Sequence, residues 1–207
     1  MARKTKGLQT RSKFIILTNG KETEKNYFES LRGFRRSIYD VKVKFINGDP
    51  IKLVERAVTE KQTSNQVWIV FDKDEFPVEA IDNTLRLARK NGIRVAFSNA
   101  AFEVWLINHF KEYNRETTAH KLVQVLDELL KNEGYTAGYH KNDLEVIQTM
   151  FLPYIDRALN NADVSLQKRI AEYDQTHPHI ALYPYCEWNS CTTVHKLVEA
   201  MKLEPKE

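Results

Sequence analysis

Apolar residues in the first half of the chain come as short runs separated by helical-period stretches. Phe14–Thr18 and Val67–Asp72 are nearly continuous apolar runs, the pattern of strands covered on both faces. Val41–Asn47 alternates instead, with Val41, Val43 and Phe45 on one face and Lys42 and Lys44 on the other, which suits an edge strand. Ile93–Ser98 is the fourth strand candidate. Between them lie helical patterns at Glu24–Phe34, from Asp49-Pro50 to about Thr63, and near Val78–Lys90, with Phe102–Phe110 after the last strand. Asp49-Pro50 carries a start signal: Asp as N-cap and Pro at the first helical position. The alternation predicts a mostly parallel α/β sheet flanked by helices.

Beyond Phe110 strand signals fade. Thr118–Asn132, Asp143–Met150, Tyr154–Tyr173 and Thr193–Met201 read as helices. In Tyr154–Tyr173, Ile155, Ala158, Leu159, Ala162, Leu166 and Ile170 recur at helical spacing. His177–Asn189 holds Pro178 and Pro184 and reads as an ordered loop. The expected organisation is a basic arm over residues 1–13, an α/β core over 14–112 and a helical region over 113–207 packed on the core as one domain.

Composition constrains this picture only mildly. The 207 residues are 42% hydrophobic and 29% charged with a net charge of +3, an ordinary soluble balance. No apolar run approaches the length needed to cross a bilayer. Residues 1–13 carry five basic residues and no acid, without the apolar core of a signal peptide. Arg3, Lys4 and Lys6 could meet phosphate, or form a solvated tail. Two cysteines, Cys186 and Cys191, are too few for a disulfide framework, so a reduced, cytoplasmic setting is expected.

Candidate chemistry collects where the strands end, the edge at which open parallel sheets build their sites. The first strand ends at Thr18-Asn19-Gly20, with Glu22 and Glu24 behind the turn. The third runs through Val70-Phe71 into Asp72-Lys73-Asp74. The fourth ends at Ser98-Asn99, with Glu103 in the next helix's first turn. Two carboxylates as close as Asp72 and Asp74 repel each other unless a cation lies between them, and hard cations such as Mg²⁺ take such oxygen ligands. The competing reading makes Asp74 a helix cap, Asp72 a turn residue, and Glu22, Glu24 and Glu103 helix-start acids. His177, His179, Cys186, Cys191 and His195 match no compact zinc spacing, and His109 on an apolar helix reads as a core histidine. The phosphate loop and the dinucleotide fingerprint are both absent, as is a serine nucleophile elbow.

These motifs together resemble the RloB-like family. The resemblance rests on Asn19-Gly20-Lys21-Glu22-Thr23-Glu24 with Asn26-Tyr27-Phe28, on Val67 to Asp74, and on Ser98 to Leu106 ending at His109-Phe110. It extends through Gly138-Tyr139-His140-Lys141, Ala158 to Ala162 and Asn189 to Val198. It implies a TOPRIM-like fold, with a Glu after strand one and an Asp-x-Asp after strand three. It also implies a link to prokaryotic restriction or abortive-infection phage-defence loci and an ABC/AAA-type ATPase encoded alongside. The implied activity is Mg²⁺-dependent (or Mn²⁺-dependent) nuclease cleavage of DNA or RNA. Asp72, Asp74, Glu103 and Asn19 would then serve the metal. Glu24 or Glu22 would serve as general acid/base, and Lys73 or Lys141 would neutralise phosphate charge. Nucleic acid would meet Lys21, Lys141, Arg3, Lys4 and Lys6. One position departs from the pattern: Asn19 stands where the family's Glu is expected, and an amide cannot exchange a proton as a carboxylate does. A catalytically impaired sensor or regulatory module acting with the ATPase is therefore the alternative expectation.

Overall fold

The computed structural model describes residues 11–73, 76–177, 183–185 and 187–205. Strand β1 (Lys13–Thr18) leads through a sharp turn into α1 (Thr23–Phe34), the two-residue β2 (Arg36–Ser37) and β3 (Asp40–Phe45). Helix α2 (Pro50–Lys61), β4 (Gln66–Asp72), α3 (Val78–Lys90), β5 (Arg94–Asn99) and α4 (Glu103–Ile107) follow. Asp49 caps α2 as its sequence signals, its carboxylate accepting the Lys52 N–H at 3.0 Å. The second half comprises α5 (Ala119–Asn132), α6 (Leu144–Val146), a π-helical turn over Ile147–Phe151 and a 3₁₀ turn over Leu152–Tyr154. The long α7 (Ile155–Thr176), β6 (Cys191–Thr192), α8 (Val194–Ala200) and β7 (Leu203–Glu204) complete it.

The sheet order is β3-β1-β4-β5-β6, with parallel neighbours from β3 through β5 and an antiparallel β6. The alternating strand β3 is indeed at the edge, and the continuous apolar runs β1 and β4 are central. Their successive side chains point to opposite faces. Phe14, Ile16, Trp68 and Val70 join a core with α1 and the C-terminal helices, while Ile15, Leu17, Val67, Ile69 and Phe71 join one with α2 and α3. Full burial of each such large apolar side chain contributes about 1.5–3 kcal/mol, so both faces hold the central strands in place.

Two features depart from the sequence expectation. Cys191–Thr192, between the expected loop ending at Asn189 and the expected helix from Thr193, pairs with β5 as the fifth strand, fastened by a Ser98–Thr192 hydroxyl bond of 2.9 Å. Arg36–Ser37 and Leu203–Glu204 form a small antiparallel ribbon. Two-residue strands carry no readable period, and tertiary pairing alone creates them. The expected loop over His177–Asn189 lies partly outside the described residues.

The connections fix where a site can form. β1 leaves toward β3 through α1 on one face, and β4 leaves toward β5 through α3 on the other. The chain therefore splays apart beyond the carboxyl ends of β1 and β4, the topological switch point where open α/β sheets bind ligands.

Candidate active site

A cleft of ≈ 570 Å³ opens at that switch point, lined by Asn19, Gly20, Lys21, Glu22, Glu24, Gly48, Asp72, Phe76 and Lys141. Its size falls within the range of ligand pockets. Asn19 comes from the end of β1, where its N–H reaches the Val70 carbonyl at 3.4 Å. The Thr18 hydroxyl donates to the Gly20 carbonyl at 3.0 Å and shapes the turn.

Glu24 sits in the first turn of α1 and is 7% exposed, whereas Glu22, at the N-cap, is exposed. The Glu24 carboxylate lies over the turn itself: a Cβ placed on Gly20 would coincide with its carboxyl atoms. The missing side chain at Gly20 thus creates the space in which the acid rests. Across the cleft, Asp72 ends β4, and its Oδ2 accepts the Phe102 N–H at 3.1 Å. This bond ties the acid to the segment leaving β5.

A third wall comes from the segment between α5 and α6. Gly138 takes a φ of +83°, a conformation natural to glycine. Tyr139 then donates its N–H to Asp127 at 2.5 Å, and the Lys141 carbonyl accepts the Thr23 hydroxyl at 3.1 Å. So anchored, the segment delivers two side chains. The Tyr139 hydroxyl donates to Glu103 Oε1 at 3.1 Å, and the Lys141 ammonium lies 3.7 Å from the same oxygen. Burial, with the nearby Glu103 and Glu24 carboxylates, pushes the Tyr139 phenol well above its ordinary pKa, so it stays a neutral donor.

The structure therefore gathers Asn19, Lys21, Glu22, Glu24, Asp72 and Lys141 around one cleft. Glu103, 2% exposed, lies behind Lys141 and Tyr139 rather than in the described lining. Lys73 is half-buried beside β5, its N–H donating to the Ser98 carbonyl at 2.9 Å. Asp74, Arg3, Lys4 and Lys6 lie outside the described residues, as do His179 and Cys186. Tyr139 and Thr23 are site components that strand-end reasoning does not find. Gly138, just ahead of Tyr139, is the local signal of the turn that carries it.

The described residues of the cleft lining offer hard oxygen donors, three carboxylates and an amide against two ammonium groups, with no histidine or cysteine among them. That donor set suits a hard divalent cation in kind. Among the described residues, no group of three or more His, Cys, Asp or Glu side chains is placed to hold a metal.

Several residues of the sequence motifs are structural instead. His109 is fully buried and satisfied: Nδ1 faces the Trp105 and Leu106 carbonyls at 3.2 and 3.1 Å and must donate. Nε2 then accepts the Tyr27 hydroxyl at 3.0 Å. Burial drives its pKa down to about 3. Asn189 clamps the Thr117 backbone through both amide atoms, at 3.1 and 2.7 Å. Lys44, half of the alternating basic edge, is paired to Glu60 at 2.8 Å.

Fold and cleft together define a mainly parallel α/β protein with a carboxylate-rich crevice at the switch point of its sheet. The RloB-like protein family model matches residues 14–201, and the chain belongs to that family. Neither a curated protein nor a solved structure matches it. No helix of the described residues is long and apolar enough to cross a membrane.

Proposed function

We propose that the protein is a Mg²⁺-dependent (or Mn²⁺-dependent) nuclease whose phosphodiester chemistry takes place in this cleft. The observation that carries the reading is the Glu24 carboxylate held over Gly20, opposite Asp72 at the switch point. It supplies an acid at the turn where Asn19 has none, and so supports a TOPRIM-like reading of the site.

Asp72 and the Asn19 amide oxygen would hold the ion from the two strand ends, with water completing a shell that needs only one or two carboxylates. A bound Mg²⁺ would polarise the phosphoryl oxygen and activate a water. Glu24 would serve as the general base that receives the proton of the attacking water, in preference to the exposed Glu22. Lys141 meets the charge developing on the phosphate. Glu103 and Tyr139 act as positioning residues, because they hold Lys141 and do not themselves line the cleft. Lys21 meets the nucleic-acid backbone at the mouth.

The test is Mg²⁺- and Mn²⁺-dependent cleavage of single- and double-stranded DNA and of RNA, with Asp72→Asn and Glu24→Gln compared to the unaltered chain. Cleavage lost in both variants supports the reading, and cleavage retained in both removes it. A second reading, a sensor module acting with an ABC/AAA-type ATPase in a phage-defence locus, is favoured by Asn19 in the lining. Robust metal-dependent turnover by the isolated protein would discard it.

A further inference from the structure

The two sides of the cleft differ in chemistry. Lys21, Glu22, Glu24 and Lys141 belong to the α1 side of the sheet and form a charged wall. Gly48 and Phe76 stand at the starts of α2 and α3, on the opposite face, where Phe76 is the aromatic member of the described lining. Phe76 is half-buried, with part of its side chain packed into the core under α2 and α3 and the rest open to the cleft. Its N–H donates to the Lys73 carbonyl at 2.8 Å, which holds Phe76 close to the end of β4 and Asp72. Gly48, at a φ of +133°, has no side chain of its own, and the Lys52 side chain lies over it.

A phosphate placed between Asp72 and Lys141 has its sugar and base beside it, and in the described lining the Phe76 ring is the apolar surface that can meet the base. An aromatic face rewards a nucleobase only if the base face is exposed. In a duplex it is covered by neighbouring pairs, whereas in a single strand it is open. Charge points the same way. A duplex brings the phosphates of two strands toward a lining whose described residues hold three carboxylates against two ammonium groups.

We propose that Phe76 stacks on an unpaired nucleobase, and that the cleft takes single-stranded nucleic acid. This rests on the phosphodiester reading for the place of the phosphate. The test is fluorescence anisotropy of the full chain with labelled DNA and RNA strands and the matching duplexes, with Ca²⁺ replacing Mg²⁺. Phe76→Leu keeps the apolar packing and deletes the aromatic face, while Phe76→Trp keeps a face. The expected result is single strands bound in preference to duplexes, with affinity lowered about tenfold by Phe76→Leu and retained by Phe76→Trp. Single-strand affinity unchanged in Phe76→Leu, duplexes bound as tightly as single strands, or no binding at all would each overturn the proposal. If Phe76-dependent binding appears but neither Mg²⁺ nor Mn²⁺ supports cleavage, the nuclease reading fails and the single-strand site stands.

Discussion

Gly20→Ala separates the site from the fold. The Gly20 backbone is not in the left-handed region, so alanine meets no conformational barrier there. The three atoms nearest an added Cβ are all carboxyl atoms of Glu24, the far end of a flexible side chain. Folding therefore loses little. Stiffening the unfolded chain contributes about 0.4–1 kcal/mol in favour of the variant, and turning the Glu24 carboxylate outward offsets that. The melting temperature should stay within about 4 °C of the parent, since 1 kcal/mol moves a chain of this size by about 2–4 °C. Chemistry should suffer far more. A catalytic group displaced by about 1 Å can cost about 10²-fold, close to 2.7 kcal/mol of barrier. The assay is the single-turnover cleavage rate in Mn²⁺ beside a thermal melt, for Gly20→Ala, Glu24→Ala and the pair. Because both changes act through one carboxylate, the double variant should be no slower than Glu24→Ala alone, a coupling of about 2–3 kcal/mol. Full activity in Gly20→Ala, or an additive loss in the double variant, would refute the reasoning.

Tyr139→Phe removes a buried donor from Glu103 and should cost about 1–3 kcal/mol of stability, read by urea denaturation. It should also slow cleavage by loosening Lys141, and an unchanged rate would remove Tyr139 from the site. His109 and His195 are buried with pKa values lowered to about 3 and about 4 from the ordinary 6.5. Their stabilising effect is complete above about 6.5, where the unfolded forms are also neutral, and is lost as pH falls through 6.5 toward the folded values. The denaturation midpoint should therefore drop between pH 7 and pH 4, and less steeply in His109→Gln. Arg35 grips Asp156 through two bonds of 2.8 and 2.6 Å, but the Asp156 side chain is 73% exposed. Asp156→Ala should cost no more than about 1 kcal/mol, and less at high salt.

Much of the architecture was legible because both central strands are buried on two faces and the edge strand alternates. Those patterns, with Asp49-Pro50 and the alternation of element types, are enough for a parallel sheet whose acids share one edge. Glu22 and Glu24 could not be told apart by spacing, since both fall within a turn of Asn19. What separates them is the room left by Gly20, which is a property of the packed turn. Tyr139 falls in the Gly138 to Lys141 motif, but its place in the site was not legible, for a different reason. It lies outside every strand end and reaches Glu103 across 36 residues of sequence, through a loop fastened to Asp127 and Thr23. The strand Cys191–Thr192 is too short to carry a period and exists only because β5 offers it an edge.

Anomalous diffraction from crystals soaked in Mn²⁺ tests the central claim most directly. The account predicts one strong peak in the cleft between Asp72 and the Asn19-Gly20 turn, absent in Asp72→Asn crystals. A cleft without a peak at saturating Mn²⁺, in a protein that cleaves its substrate under the same conditions, would contradict it.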